Sequence, residues 1–159
     1  MKRDDLIHPD VSGNKWRKLK GFFGEVDPSR PVLTFGGAHS NHLRAAAFAF
    51  AYAGIKGIAV VRGEELSPEH SPTLEYCEKM GMTLHFIPRS EYRVLREKDW
   101  IPTARQLQEW DGESAQVLPE GGAGKHAFEG CGEIWTELDH KPDHLLIASG
   151  TATTVLGIL

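Results

Sequence analysis

The sequence has little cysteine and no long apolar run. Its two cysteines, Cys77 and Cys131, are too few and too far apart for a disulfide framework or a cysteine metal site. No apolar stretch approaches the length of a membrane-spanning helix, and no secretory signal precedes the first motif. We therefore expect a cytoplasmic protein of a reducing compartment that has no membrane partner.

The sequence also lacks the excess of cations that is typical of nucleic-acid binding. It has 18 lysines and arginines against 22 aspartates and glutamates, a formal net charge of -4. His39 and His42 have no further ligand at a suitable spacing, so we predict no metal site. Serine-hydrolase, zinc-protease and dinucleotide-binding motifs are missing as well.

The sequence does contain an alternation of strand and helix patterns. Short apolar runs suit buried strands, and helical spacing with capping residues follows most of them. This order predicts an α/β fold with open, mainly parallel sheets and flanking helices. The predicted strands are 32–35, 57–61, 83–87, 117–118 and 144–148. Three predicted helices begin after the capping residues Asn14, Ser40 and Ser71. Two further helical regions are 90–110, with a break near Pro102, and 128–138.

Strand-to-helix loops share one edge of a parallel sheet, and three of them carry candidate functional residues. Residues 149–154 combine small residues with threonines, which suits either a phosphate site or a capped helix start. Residues 36–42 place Ser40 and Asn41 after two glycines, where they could contact a ligand. Residues 120–126 lack the glycine and hydroxyl positions of a nucleotide P-loop, so we interpret them as a flexible pocket lining.

Lys15 lies in the first turn of a predicted helix that carries four cations there. With Arg17, Lys18 and Lys20 it opposes the helix dipole, which favours anions at that end. A local conflict without visible local compensation is typical of a functional site, although a solvated lysine is the simpler alternative. A phosphorylated aldehyde held by Lys15 as a Schiff base, such as pyridoxal phosphate, would explain this lysine and both loops together.

Four segments resemble the 1-aminocyclopropane-1-carboxylate (ACC) deaminase/D-cysteine desulfhydrase family of tryptophan-synthase-β-like pyridoxal phosphate enzymes. Residues 2–6 and 12–19 are similar to the opening of that family. Residues 36–42 are similar to its Gly-Gly-x-x-Ser-Asn-(His/Gln) motif, 119–122 to its Pro-x-Gly segment, and 149–154 to its phosphate loop. The segments occur in the family's order across nearly the whole chain.

The resemblance implies a role for each matched residue. Lys15 would be the catalytic Schiff-base lysine, and Ser40 would be a second catalytic residue that assists attack or proton transfer. Asn41 would donate a hydrogen bond to the phenolic oxygen of the cofactor ring. The substrate-binding residues would be Ser40, His39 and His42, and the phosphate-binding residues would be Gly150, Thr151, Ala152, Thr153 and Thr154.

The resemblance further implies a deaminase, lyase or hydrolase that converts a small amino acid to an α-keto acid and ammonia. D-cysteine and ACC are the implied substrates, and pyridoxal 5'-phosphate is the cofactor. A non-catalytic module that binds this cofactor or another phosphorylated metabolite is the alternative, and a scaffold with purely structural loops is a third.

For the architecture, the resemblance implies a two-lobed fold that is incomplete at the C-terminus, within a full-length homodimer. Residues 1–35 and 115–159 would be parts of the larger cofactor-binding lobe, and 36–114 would form the smaller α/β lobe. Because family members continue well past the phosphate loop, we expect the chain to be a fragment of a longer enzyme.

Overall fold

The structure is a computed structural model that describes residues 1–159, and it divides into two compact units. Residues 1–26 and 122–159 form the helical unit, and residues 27–121 form the α/β unit. The lobes predicted for the complete enzyme have different bounds from these two units, and the assignment to lobes stays a prediction.

A four-stranded parallel sheet in the order β3-β2-β1-β4 forms the centre of the α/β unit. β1 (Val32–Gly36) and β2 (Gly57–Arg62) are the inner strands, and β3 (Thr83–Ile87) and β4 (Gln116–Leu118) are the edge strands. Every residue of β1 is buried, as expected of a strand that is covered on both faces. The predicted α/β fold with a parallel sheet and flanking helices is therefore confirmed.

Local capping signals set the helices of the α/β unit. Ser40 accepts a hydrogen bond from the Leu43 N–H at 3.2 Å, and Gly54 ends the same helix in the left-handed region at φ 68°. The region predicted to break near Pro102 is two helices. The four helices are α2 (Asn41–Ala53), α3 (Pro72–Lys79), α4 (Arg89–Glu97) and α5 (Ala104–Glu109), and none of the chain's helices is long and apolar enough to cross a membrane.

The helical unit is built on three helices, α1 (Asn14–Phe23), α6 (Lys125–Thr136) and α7 (Thr153–Ile158), with α6 packed against both others. Arg17 of α1 anchors the N-terminal segment to this unit. Its guanidinium, on a side chain only 2% exposed, contacts Asp4 at 2.6 Å and Glu137 at 2.8 Å. The cluster thus joins three segments that are distant in sequence.

Two local expectations are wrong. Residues 144–148, predicted as a strand, are irregular, and Leu146 is 98% exposed. A strand forms only where a neighbour completes its hydrogen bonds, and no strand of this structure pairs with these residues. Asn14, predicted as the N-cap of α1, is instead the first helical residue after Gly13, and its side-chain amide donates to the Thr154 hydroxyl at 2.9 Å.

We expect Glu137 to make the helical unit sensitive to acid. Hydrogen bonds from Arg17 and then Lys2 lower the pKa of Glu137 to about 2 from its ordinary 4.5. A carboxylate with a lowered pKa in the folded state stabilises the fold fully above the unfolded value, and this contribution is lost as the pH falls from about 4.5 to about 2. Because the Glu137 side chain is 41% exposed, solvent screening limits the contribution to about 1 kcal/mol.

Unfolding by urea between pH 2 and 7 would measure this effect. Glu137→Gln should lower the free energy of unfolding near pH 7 and show a flatter loss of stability below pH 4.5 than the wild-type chain. Parallel pH curves for the two proteins would contradict the assignment.

Candidate functional site

The four cations at the start of α1 lie in two different environments. Arg17 forms ion pairs with Asp4 of the N-terminal segment at 2.6 Å and with Glu137 after α6 at 2.8 Å, and Lys20 pairs with Glu133 of α6 at 2.8 Å. Lys15 and Lys18 form no ion pair. The conflict with the helix dipole is therefore compensated by distant residues at two positions, and it persists at Lys15 and Lys18.

Lys15 carries an amine that loses its proton more readily than an ordinary lysine. Burial, and then the nearby Lys18 ammonium, lower the pKa of Lys15 to about 8 from 10.5. Desolvation disfavours the charged form, and a neighbouring like charge has the same effect. About half of the Lys15 side chains are thus neutral at pH 8, and the neutral amine is the form that attacks a carbonyl carbon.

Lys18 brings a buried ammonium to the predicted phosphate loop. The residue is 2% exposed, and burial lowers its pKa. Its Nζ donates to the Thr151 hydroxyl at 3.4 Å, and that hydroxyl lies 3.0 Å from the Thr153 hydroxyl. A buried cation with no carboxylate partner, next to two hydroxyl groups, is suited to hold an anion.

Lys18 was not among the residues predicted for the site. The signal that could have found it is its spacing, since a residue three positions after Lys15 lies on the same face of the helix. The sequence alone did not separate it from Arg17 and Lys20, because their acidic partners lie elsewhere in the chain.

The remaining residues of the phosphate loop lead into α7. Thr153 and Thr154 are buried, and the amide of Asn14 contacts Thr154, so the loop is fastened to the first turn of α1. Ala152 has φ 58°, in the left-handed region that residues other than glycine seldom adopt. Gly150 is exposed, with no atom within 4 Å of the place a Cβ would occupy. Backbone strain of the kind seen at Ala152 is commonly found at binding sites.

The predicted catalytic serine lies in the α/β unit. The Ser40 oxygen accepts from the Leu43 N–H, but the hydroxyl hydrogen has no protein acceptor. Ser40 therefore caps α2 and still has a hydrogen to donate to a ligand. His39 and Asn41 on either side of it are exposed, and neither side chain forms a hydrogen bond within the protein.

His42 lies beneath this loop and contacts the sheet. It is 2% exposed, and its Nε2 lies 2.7 Å from the Thr34 hydroxyl. Because that hydroxyl donates to the Leu118 carbonyl at 2.8 Å, Nε2 must carry the hydrogen of this contact. This arrangement favours a structural role for His42, and its substrate-binding role stays a prediction.

The structure thus assembles Lys15, Lys18 and 150–154 within the helical unit, and 39–42 within the α/β unit. The convergence of both sets on one ligand stays a prediction.

No protein-family model matches the chain, but curated relatives do. The bifunctional D-cysteine desulfhydrase/1-aminocyclopropane-1-carboxylate deaminase, mitochondrial, of Arabidopsis thaliana is 31% identical, with 99% of this chain and 43% of the relative covered. Putative ACC deaminases of Pyrococcus horikoshii and Thermotoga maritima are 30% and 29% identical, with 99% of this chain and 49% and 52% of the relatives covered.

A crystal structure of an ACC deaminase homologue has the same fold, with a TM-score of 0.71 and 28% identity over 99% of this chain and 49% of that one. Over nearly its whole length, the chain resembles about half of a member of the ACC deaminase/D-cysteine desulfhydrase family. Enzymes of this family use pyridoxal 5'-phosphate. The chain spans about half the length of the curated relatives it matches.

The relatives also limit three expectations. Their names support deaminase and desulfhydrase activities within the family and do not support the hydrolase class. The cytoplasmic location stays a prediction, since the Arabidopsis relative is named as mitochondrial. The homodimer stays a prediction too.

The donor set of the helical unit fits pyridoxal phosphate. The cofactor has an aldehyde, which requires an amine, and a phosphate, which requires cations and hydrogen-bond donors. Lys15 supplies an amine with a lowered pKa. Lys18 supplies an ammonium and Thr151 a hydroxyl, and these two groups are hydrogen-bonded to each other. Both requirements are thus met on one face of α1.

Proposed function

We propose that this chain is the cofactor-anchoring part of a pyridoxal-phosphate-dependent deaminase or lyase that acts on a small amino acid. The observation that carries the proposal is the pair Lys15 and Lys18, which have no carboxylate partners: Lys15 is partly buried with a lowered pKa, and Lys18 is buried and contacts the Thr151 hydroxyl. D-cysteine or ACC would be the substrate. The products would be an α-keto acid and ammonia, with hydrogen sulfide released from D-cysteine.

Three side chains, those of Lys15, Ser40 and Asn41, would have separate roles. The bound cofactor would draw electrons from the carbon next to the substrate's amino group. Lys15 would hold the cofactor aldehyde. Once the substrate has displaced it, Lys15 would accept or return a proton, and its pKa of about 8 suits both directions of transfer near that pH. Ser40 would donate its unengaged hydroxyl hydrogen to the substrate, and Asn41 would donate to the phenolic oxygen of the ring.

Covalent trapping tests the anchor. The purified chain mixed with pyridoxal phosphate should develop a visible absorbance band, and borohydride should then fix a pyridoxyl label on Lys15 that peptide mapping identifies. The label on another lysine, or on none in a folded protein, would contradict the proposal.

Product formation tests the reaction. Keto acid and ammonia should form from D-cysteine or ACC, with sulfide only from D-cysteine. A labelled Lys15 with no keto acid from either substrate would favour the non-catalytic binding module.

We expect Lys18→Met to stabilise the chain and weaken its binding of pyridoxal phosphate. Methionine has a similar length without the charge, so the penalty for a buried, unpaired ammonium disappears and the free energy of unfolding rises by about 1 kcal/mol. The phosphate loses a charged hydrogen-bond donor, which should weaken the affinity about 100-fold.

Pyridoxal without its phosphate is the matched control ligand. Its affinity should change far less than that of pyridoxal phosphate, because Lys18 acts on it only through its secondary effect on the pKa of Lys15. Thermal unfolding and absorbance titration measure the two effects. A variant that is less stable than the wild type, or one that binds pyridoxal phosphate equally well, would overturn the assignment of Lys18 to the phosphate.

A further inference from the structure

Ser71 at the start of α3 uses its hydroxyl group completely. The residue is 1% exposed and is the N-cap of the helix. Its oxygen accepts hydrogen bonds from the N–H groups of Thr73 at 3.1 Å and Leu74 at 3.4 Å. Its hydrogen is donated to the Ala38 carbonyl. One donor and two acceptor positions are all that a serine hydroxyl has.

The bond to Ala38 is more than the helix requires. An N-cap has only to accept hydrogen bonds from the first turn, so α3 would be equally well capped by a residue without a donor. Ala38 lies in the loop 36–42 that carries Ser40 and Asn41, and it is 33 residues from Ser71 in sequence. The hydrogen bond therefore connects two separate strand-to-helix segments of the α/β unit.

Within the loop itself, the Ser40 N–H donates a hydrogen bond to the Gly37 carbonyl at 3.0 Å, and the bond to Ser71 adds an anchor from another segment. Residues 36–38 are two glycines and an alanine, whose side chains offer no polar anchor. Because the peptide unit is planar and trans, a carbonyl held towards Ser71 turns the following N–H, that of His39, to the opposite side. The orientation of one peptide unit thus sets the path of the chain into Ser40.

We propose that Ser71 is a positioning residue for Ser40 and Asn41, because its hydroxyl binds the Ala38 carbonyl and fixes the loop that presents both side chains. The fixing of the loop stands on the hydrogen bonds of the α/β unit alone. The consequence for the cofactor rests on the proposed function.

Ser71→Asn and Ser71→Asp form a matched pair that separates positioning from capping. The two side chains are alike in size, and both are good N-caps. The asparagine amide can donate to the Ala38 carbonyl, whereas the aspartate carboxylate only accepts. Thr103→Ala is the control for capping alone, since Thr103 caps α5 through the Gln106 N–H at 3.3 Å.

Amide hydrogen exchange without cofactor gives the first measurement. In Ser71→Asp, exchange of the amides from 37 to 41 should be about tenfold faster than in the wild type, the loss expected for one hydrogen bond, and Ser71→Asn should stay close to the wild type. Equal loop exchange in the two variants would overturn the proposal.

If Ser71→Asp does not fold, Ser71→Ala takes its place and is compared with Thr103→Ala. Faster exchange in the loop of Ser71→Ala, beyond any change in its α3, supports positioning. Exchange that rises only in the first turn of α3 means that Ser71 is merely a cap.

Absorbance titration with pyridoxal phosphate gives the second measurement. The affinity of Ser71→Asp should fall about tenfold and its visible band should shift, because Asn41 is no longer held against the ring, whereas Ser71→Asn and Thr103→Ala should keep both. A wild-type chain that shows no visible band would refute the proposed function, and hydrogen exchange would still decide the role of Ser71. Unchanged affinity and exchange in Ser71→Asp would refute the positioning role.

Discussion

Replacement of Lys15 by alanine is expected to abolish covalent attachment of pyridoxal phosphate. The attacking group is a neutral amine, and Lys15 has a partly buried amine whose pKa is lowered to about 8. The chain should stay folded, because the substitution removes no ion pair. Weak, non-covalent binding through Lys18 and Thr151 should remain, visible as cofactor that dialysis removes. Borohydride reduction followed by mass spectrometry measures the loss.

The pH dependence of labelling identifies the amine independently. Below its pKa the neutral fraction of an amine rises tenfold for each pH unit, so labelling of the wild-type chain should rise steeply up to pH 8 or so and then level off. Lys20→Ala is the matched control, because Lys20 lies on the same helix but is exposed and paired with Glu133. A label that persists in Lys15→Ala with the same pH profile would mean that another lysine is the anchor.

Local signals account for the parts of the fold that the sequence predicted well. Ser40 and Gly54 mark the two ends of α2 because a cap and a left-handed glycine act on residues next to them. The inner strands were equally clear, since strands that are buried on both faces form nearly continuous apolar runs. These features depend on neighbours in sequence, so they can be read from it.

Features that depend on distant residues were not readable in the same way. Residues 144–148 have the composition of a strand, but a strand needs a paired neighbour, and composition does not show whether one is present. Asn14 has the side chain of an N-cap, yet a contact with Thr154, 140 residues away, engages its amide instead. In both cases the structure depends on residues that are distant in sequence.

The candidate site shows the same division. The sequence indicated a conflict between four cations and the dipole of α1, because that rule involves one helical turn. It did not show that carboxylates 13 and 120 residues from Arg17 would compensate that cation and leave Lys15 and Lys18 unpaired. The structure therefore reduces a run of four candidates to two, and it adds Lys18 to the site.

Gly130→Ala is expected to be the most destabilising single substitution among those considered, because α1 and α6 meet backbone to backbone at this residue. A Cβ at position 130 would lie 2.1 Å from the carbonyl oxygen of Arg17, and only movement of a whole helix could relieve that contact. We expect a loss of about 3 kcal/mol in the free energy of unfolding and a fall of about 10 °C in Tm, measured by circular dichroism.

Gly24→Ala provides the control, since Gly24 has φ -74° at the exposed end of α1 and its added Cβ would be 3.3 Å from the Gly21 carbonyl oxygen. Its Tm should change by far less. Because the movement that Gly130→Ala forces would also displace Lys18 from Thr151, its affinity for pyridoxal phosphate should fall even at temperatures where it is folded. An unchanged Tm would show that the helices do not approach as closely as the structure has them, and an unchanged affinity would show that the lysines do not depend on this contact.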